Sequence, residues 1–214
     1  MLNIQRFTVN FVEENCYVLS DDSREAVIVD CGAFTPEEQA TLTAYIRDNA
    51  LQPRHLLCTH GHFDHIFGAA FVAETYGLYP EISTAEQTTY ELAAEQMRQF
   101  IGVDAPLTVP RIGHLFNDGD TISFGHHRLE VIATPGHTPG GVCFYCREER
   151  LLLSGDSLFR REIGRCDLPG GSLTALITAI KERLLVLPDD VTVCPGHGPQ
   201  TTIGEERREN PYLR

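Results

Sequence analysis

The chain lacks the features of a membrane-spanning or exported protein. No apolar run approaches the roughly 18 residues that a membrane-spanning helix needs, and the first six residues show no basic stretch followed by an apolar one. Positive charge is also scarce: a single lysine, Lys181, stands among 17 basic residues, and the formal net charge is −13. We therefore expect no nucleic-acid partner and no membrane partner, and we predict a cytoplasmic protein.

The sequence also does not favour disulfide bonds. The seven cysteines are an odd number, and without an export signal they predict free thiols in a reducing compartment. Cys143 and Cys146 have the spacing of a metal or redox pair, but they lie in an alternating segment typical of a strand, where positions three apart point to opposite faces. We predict buried thiols rather than a pair.

Five short apolar runs have the length and the β-branching of buried strands. Each run leads directly into an acidic or histidine-bearing turn. The runs are 27–29, 56–58, 131–133, 151–153 and 191–194. Because strand ends can meet at one edge of a sheet core, the pattern predicts that the polar groups after these runs lie close together.

Helices and further strands occupy the remaining chain. Thr35, Pro36 and Glu38 are typical of a helix start, and this helix should run to about Asn49. Ser83 and Glu86 match a second capping box. Apolar residues at helical spacing predict a helix over 173–184, and alternating segments between 120 and 154 predict a meander. With 214 residues and 42% hydrophobic side chains, we expect one α/β domain over 1–214, an αββα sandwich of two sheets with helices on both outer faces.

A metal centre is the strongest functional prediction. The segment His60-Gly61-His62-Phe63-Asp64-His65 places four possible ligands within six residues, and His137, Asp156 and His197 follow in glycine-containing turns. Imidazoles and carboxylates are ligands that zinc, iron(II) and manganese accept. Seven ligands exceed the needs of one tetrahedral ion but suit two ions that share a carboxylate and a water.

The ligand order resembles that of the metallo-β-lactamase fold superfamily, over essentially the whole span from Asp30 to His197. The resemblance implies one metal held by three histidines, a second metal held by an aspartate and two histidines, and a bridging aspartate. These residues are His60, His62 and His137 for the first metal, Asp64, His65 and His197 for the second, and Asp156 for the bridge. Asp30 would orient a ligand imidazole from outside the coordination sphere.

The stretch Gly164-Arg165-Cys166-Asp167 is similar to one in glyoxalase II-like thioesterases and persulfide dioxygenases. The chain as a whole resembles the short bacterial type II glyoxalases, the hydroxyacylglutathione hydrolases. That resemblance implies a small-molecule thioester substrate and conversion of S-lactoylglutathione and water to lactate and glutathione. It also implies two divalent metal ions, for which zinc is the first expectation and iron or manganese are the alternatives. The nucleophile would be a metal-bridging hydroxide oriented by Asp64, the catalytic residue. The β-lactam hydrolases proper place a cysteine where this chain has Asp156.

Two departures from the two-domain type II glyoxalases bear on the substrate. Only residues 198–214 follow the last ligand, so we expect no C-terminal glutathione-binding helical domain. The lysines that those enzymes use on the peptide carboxylate have no counterpart, which leaves Arg160, Arg161 and Arg165 as candidate substrate-binding residues. The alternative for Arg165 is a pair with Asp167 that holds the loop.

Two other activities stay open at this point. A persulfide dioxygenase would use one iron on His60, His137 and Asp156 and would consume oxygen. A hydrolase of another ester or a lactone would use the same two-metal centre on a different substrate.

Overall fold

Two six-stranded sheets lie face to face in the computed structural model, which describes residues 1–101 and 107–214. The first sheet has the order β1 (Asn3–Val9), β2 (Glu14–Ser20), β3 (Glu25–Val29), β4 (Gln52–Leu57), β5 (Pro80–Ser83) and β6 (His114–Phe116). The second has the order β14 (Thr201–Thr202), β13 (Thr192–Pro195), β10 (Leu151–Gly155), β9 (Val142–Cys146), β8 (His127–Ala133) and β7 (Thr121–Phe124). A small hairpin of β11 (Leu158–Phe159) and β12 (Glu162–Ile163) follows β10.

Helices cover the outer faces of both sheets. They are α1 (Pro36–Asp48), α2 (Phe63–Ile66), α3 (Ala69–Tyr76), α4 (Gln87–Glu91), α5 (Ala93–Ile101), α6 (Leu173–Ala179) and α7 (Ile203–Glu209). A 3₁₀ turn over Thr84–Glu86 precedes α4, and a π-helical turn over Ile180–Leu184 extends α6. Leu42, Val72 and Met97 pack with the first sheet, whereas Leu176 and Ile203 pack with the second. The predicted αββα sandwich is confirmed.

Alternation along the buried strands builds the three cores between these four layers. In β2, Tyr17 and Leu19 enter the core between the sheets, whereas Val18 faces the helices. In β9, Cys146 joins the core between the sheets and Cys143 joins the core under α6. The two thiols therefore point to opposite faces, as their strand spacing predicts.

The remaining predictions about local structure hold except at two places, the second capping box and the last turn of the helix over 173–184. Thr35 and Glu38 form the capping box of α1, since each side chain accepts the other residue's backbone N–H, and the helix ends at Asp48. All seven cysteines are free, and Cys166 alone among them is partly exposed rather than buried. The predicted helix over 173–184 changes to π geometry for its last turn. No helix within the described ranges has both the length and the apolar character needed to cross a bilayer.

Strand direction places the candidate ligands at one edge. β3 and β4 pair in parallel, and so do β10 and β13. β8 runs in the direction of β10, because both are antiparallel to the β9 strand between them. In each sheet the strands that lead into candidate ligands therefore end on the same side, as the sequence pattern predicts.

Candidate metal centre

The segment after β4 carries ligands on both sides of a helix start. His60 lies in the loop, His62 is the N-cap of α2, and Asp64 and His65 belong to the first turn of that helix. Gly61 allows the loop to pass against α4, because a Cβ there would lie 2.5 Å from the backbone nitrogen of Tyr90. Because the backbone changes from extended to helical at His62, the side chains of Asp64 and His65 point away from those of His60 and His62.

Three imidazole nitrogens face one another in the first group of candidate ligands. Nε2 of His60 lies 3.1 Å from Nδ1 of His62, which lies 2.9 Å from Nε2 of His137. The third side of this triangle, between His60 and His137, measures 3.3 Å. Ligand atoms about 2.1 Å from a tetrahedral ion are about 3.4 Å apart, so the triangle has the dimensions of one face of a zinc site.

An aspartate and two histidines form the second group. Oδ2 of Asp64 lies 3.2 Å from Nε2 of His197 and 3.8 Å from Nε2 of His65. The two imidazole nitrogens are 3.3 Å apart. Nitrogen and carboxylate oxygen atoms converge here as well, with spacings that suit a second cation.

Asp156 lies between the two groups. Its Oδ1 is 3.3 Å from Nε2 of His65, and its Oδ2 is 3.6 Å from Nε2 of His137 and 3.7 Å from Nε2 of His197. Oδ1 is buried and makes no hydrogen bond to the residues that the structure describes. A buried carboxylate oxygen without a hydrogen-bond partner is typical of a position where a cation binds.

The outward nitrogens of three ligand rings are held by oxygen acceptors. Nδ1 of His137 donates to the carbonyl oxygen of Arg165 at 2.8 Å, and Nδ1 of His197 donates to the carbonyl oxygen of Val12 at 3.1 Å. Nδ1 of His60 lies 3.1 Å from the hydroxyl of Thr59. A carbonyl oxygen can only accept, so it assigns the proton to Nδ1 and leaves the lone pair of Nε2 facing the cluster.

Asp30 connects both halves of the site. Its carboxylate accepts from the backbone N–H and from the hydroxyl of Thr59, both at 2.7 Å, and its Oδ2 lies 3.1 Å from Nδ1 of His65. Asp30 takes a left-handed backbone conformation, with φ of 52°, directly after β3. The structure thus places Asp30 beside a ligand imidazole, as the hypothesis of an orienting residue requires.

The charge states of the first group and of Asp156 differ. Burial, followed by the neighbouring imidazoles, lowers the pKa of His60 well below its usual value and lowers that of His62 to about 4. These rings are therefore neutral, and available as ligands, at pH 7. Burial acts against charge on Asp156 as well, but His65 and His197 hold its pKa well below the ordinary range. Two neutral imidazoles beside an ionised carboxylate form a donor set that fits divalent cations.

Two buried glutamates near the site were not predicted from the sequence. The carboxylate of Glu86 accepts from the backbone N–H of Gly61 at 2.9 Å and of Gly140 at 2.8 Å. Glu14 in β2 is fully buried, has no hydrogen bond from its carboxylate to the described residues, and lies 4.0 Å from Nδ1 of His65. Only their burial distinguishes Glu14 and Glu86 from other glutamates. Neither the strand pattern around Glu14 nor the capping pattern around Glu86 reveals that burial.

The Glu86 contacts correct the second capping-box prediction. Ser83 caps the helical turn through a bond from the Ala85 N–H, but Glu86 does not complete the box. Its carboxylate instead joins the loop that carries His60 and His62 to the loop after His137, because those loops offer buried N–H donors.

The three candidate arginines are all paired with carboxylates. Arg165 makes two bonds to Asp167, at 2.8 and 2.7 Å, which is the alternative that the sequence left open. Arg160 and Arg161 pair with Glu205, and Arg161 also with Glu209. Arg165 lines a cavity of about 590 Å³, and its backbone carbonyl bonds to His137, whereas the other two arginines are held against α7.

Comparisons with known proteins find similarity over nearly the whole chain. Hydroxyacylglutathione hydrolase GloC of Haemophilus influenzae is 34% identical, with 99% of this chain and 98% of that protein covered. The crystal structure of BLEG-1 B3 metallo-beta-lactamase is 36% identical, with a TM-score of 0.88 and 99% of each chain covered. The structure of TTHA1623 in a di-iron-bound form is also 36% identical, with a TM-score of 0.86 and 98% and 100% covered.

The family model of the metallo-beta-lactamase superfamily matches residues 9–197. This range contains every candidate ligand from His60 to His197 together with Asp30. The chain belongs to the metallo-beta-lactamase superfamily.

Proposed function

We propose that the protein is a thioester hydrolase that depends on two divalent metal ions and cleaves hydroxyacyl thioesters of glutathione. The observation that carries the proposal is the convergence of seven side chains into two groups of three around Asp156. The 34% identity to GloC of H. influenzae over nearly the whole chain supports the substrate class.

The proposed ligand sets follow the two groups. His60, His62 and His137 would hold one ion and Asp64, His65 and His197 the other, with Asp156 shared by both. Ions bound there would supply Lewis-acid polarisation of a carbonyl and would lower the pKa of a water molecule. We propose zinc as the metal, and iron as the first alternative because TTHA1623 is described in a di-iron-bound form.

The chain's own residues position the reactants. Asp64 would accept a hydrogen bond from the attacking water and so orient it, while Asp30 and Thr59 keep the imidazoles of His65 and His60 in place. Attack forms a carbon–oxygen bond and breaks the carbon–sulfur bond. The sulfur can leave as a thiolate, because thiols have a pKa near 8.5, and the products are a hydroxy acid and a thiol.

The cavity beside Arg165 suits the glutathione carrier. Its lining includes Glu162, Arg165, Asp167 and Tyr212, so that it offers both signs of charge and a hydroxyl. Glutathione carries one ammonium and two carboxylate groups. Glu162 can pair the ammonium, and a substrate carboxylate can pair Arg165 by replacing Asp167 as its partner. The carbonyl of Arg165 accepts from His137, which places this lining next to the first ligand group.

Hydrolysis of β-lactams is a second candidate, because BLEG-1 is described as a B3 metallo-beta-lactamase. A strained amide would be attacked in the same place. Its leaving nitrogen is far more basic than a thiolate and needs a proton, so the two activities make different demands on the site.

One substrate panel tests these proposals. Protein stripped with a chelator is reloaded separately with zinc, iron(II) and manganese, then assayed with S-lactoylglutathione, with a chromogenic cephalosporin and, by oxygen uptake, with glutathione persulfide. We expect thioester hydrolysis that chelator removes and one of the metals restores. A reloaded protein that hydrolyses only the cephalosporin, or only consumes oxygen, contradicts the proposal.

A pair of histidine variants supplies the matched control. His60→Ala should reduce thioester hydrolysis to the chelator-treated level. His55→Ala removes a histidine that contacts Glu81 and the Ser123 carbonyl instead of the site, and it should keep wild-type activity.

A further inference from the structure

Five phenylalanine rings contact one another in a row that includes Phe63, the residue between His62 and Asp64. We call them the phenylalanine cluster: Phe11, Phe34, Phe63, Phe67 and Phe100. Ring centroids are 4.6 Å apart for Phe34 and Phe67, 5.8 Å for Phe11 and Phe67, 5.5 Å for Phe63 and Phe67, and 5.4 Å for Phe63 and Phe100. Such contacts hold a continuous aromatic surface in place.

The outer part of the phenylalanine cluster faces solvent. Phe11, Phe34 and Phe100 are 53%, 42% and 57% exposed, whereas Phe63 and Phe67 are 8% and 7% exposed and form its base. A contiguous exposed apolar surface on a folded protein is typical of a place where another apolar group binds.

Hydrogen bonds join the turn that carries Phe11 to the second ligand group. Phe11 lies in the turn between β1 and β2, and the next residue, Val12, accepts the Nδ1–H of His197 at 3.1 Å. In the same turn, the side-chain amide of Asn10 donates to the carbonyl oxygen of Asp64 at 3.0 Å. Phe63 is itself the residue between His62 and Asp64. Phe11 and Phe63 therefore belong to the chain segments that hold His197 and Asp64.

The two flanks of the centre differ in chemistry. The phenylalanine cluster shares chain segments with the group of Asp64, His65 and His197, and it presents aromatic rings. The cavity lined by Arg165 and Asp167 borders the other group, and it presents charges. A thioester has two ends joined at the reacting carbonyl, so its ends meet different surfaces.

We propose that the phenylalanine cluster binds an apolar acyl group of the thioester while the polar thiol carrier occupies the cavity beside Arg165. The substrates favoured by this chain are then glutathione thioesters of aromatic or long-chain acids rather than of lactate. Water adds to the acyl carbon, the carbon–sulfur bond breaks, and an apolar carboxylic acid and glutathione are released. This inference rests on the proposed thioester hydrolase function and deepens it.

Burial of a phenyl group on these rings should be measurable as selectivity. Covering part of a phenyl side chain contributes on the order of a tenfold preference over an unsubstituted acyl group. We expect kcat/KM to be about tenfold higher for S-mandeloylglutathione than for S-lactoylglutathione, because both acyl groups carry the 2-hydroxyl and only one carries the phenyl ring.

Two cluster variants and one distant variant test the assignment in the zinc-loaded full chain. Phe11→Ala and Phe34→Ala should each lower the ratio of kcat/KM for S-mandeloylglutathione to kcat/KM for S-lactoylglutathione from about ten to near one. Val186→Ala changes an apolar side chain that is 69% exposed and precedes β13, at the end of the strand remote from His197, and it should change neither value.

A binding measurement provides a readout independent of turnover. S-benzylglutathione and S-methylglutathione are thioethers that water does not cleave. Calorimetry should show tighter binding of the benzyl compound to the wild type, by about tenfold, and equal binding of the two to Phe11→Ala. Equal binding of both compounds to the wild type overturns the proposal.

The remaining outcomes separate this inference from the proposed function. If S-lactoylglutathione is hydrolysed and the phenyl group gives no preference, the thioesterase proposal stands and the acyl-site proposal fails. If Phe11→Ala lowers kcat/KM only for a lactoyl thioester of benzyl thiol, the cluster binds the leaving thiol and our assignment is overturned. If the cluster variants change the sedimentation of the protein but not its selectivity, the cluster is a subunit contact. If no thioester is cleaved by any metal-loaded form, the proposed function itself fails.

Discussion

The carboxylate of Asp30 lies 3.1 Å from Nδ1 of His65, on the side of the ring away from the nitrogen that faces Asp156. Through Thr59, the same carboxylate is also connected to the ring of His60. One acidic side chain after β3 therefore orients a candidate ligand in each group. Partners of this kind fix the ring and raise its basicity.

Replacing this carboxylate should weaken the metal centre while leaving the proposed ligands in place. In Asp30→Asn we expect metal affinity to fall about 10- to 100-fold, because the amide keeps the size but loses the charge opposite His65. Calorimetric titration of metal-free protein measures the change. Asp22→Asn alters an exposed acid paired with His126 and is the matched control. Wild-type affinity for both ions in Asp30→Asn would count against the role of Asp30.

Gly196 leaves room for the carboxylate of Asp156. A Cβ at this position would lie 2.3 Å from Oδ1 of Asp156 and 2.6 Å from Cε1 of His65. Gly196→Ala should therefore displace Asp156 and lower kcat/KM about a hundredfold, since displacements near 1 Å have effects of that size.

The control for this substitution is Gly198→Ala in the same loop. Gly198 has φ of 74° with open space around it, so alanine there should cost about 1 kcal/mol of stability through backbone strain and leave metal binding unchanged. Equal loss of metal in both variants would show that the loop, and not the contact with Asp156, is responsible.

Of the three candidate arginines, Arg165 lines the cavity that we propose for the thiol carrier. Arg165→Ala should raise KM for S-lactoylglutathione about tenfold and change kcat little, because a charge-assisted hydrogen bond in the cavity is lost and its backbone carbonyl still accepts from His137. Arg161→Ala, whose side chain pairs with Glu205 and Glu209, should leave both constants unchanged. If instead Arg161→Ala raised KM and Arg165→Ala did not, substrate binding would be assigned to the surface near α7.

Glu86 should give the protein a pH-dependent stability near pH 6. Burial raises the pKa of Glu86 from 4.5 to about 6, although N–H donors from Gly61 and Gly140 oppose the shift. The folded protein thus keeps a proton that the unfolded chain loses between these values. The stabilisation by protonated Glu86 is complete below about pH 4.5 and is lost as the pH rises through about 6.

The size of this effect follows from the shift. Relative to Glu86→Gln, the wild type should lose about 2 kcal/mol of unfolding free energy between pH 4.5 and 7.5. Urea unfolding of the two metal-free proteins at a series of pH values measures the difference, in which the histidines common to both cancel. A difference that stays constant across this range would show that folding does not raise the pKa of Glu86.

The sequence predicted the candidate ligands because their signal is local. Each of them follows a short apolar run, and parallel strand ends meet at one edge whatever lies between them. His60 and His197 are 137 positions apart, yet both could be assigned without knowledge of the intervening loops. The helix start at Thr35 was predictable for the same reason.

Contacts made across the fold could not be predicted in this way. Glu86 matches a capping box, but the N–H groups that it accepts come from loops 25 and 54 residues away. Phe11 and Phe34 lie in separate turns with no shared periodicity, so nothing in the sequence indicates that they meet Phe67. Arg165 and Asp167 are two residues apart, and their pairing was among the sequence alternatives.

The metal content of the wild type and of Asp156→Ala, purified in parallel and measured per chain, tests the central claim most directly. The account predicts about two ions per chain in the wild type and fewer than one in the variant, because Asp156 contacts both ligand groups. Thioester hydrolysis should fall in proportion to the metal content. Two ions retained by Asp156→Ala, or thioester hydrolysis by a wild type that holds none, would contradict it.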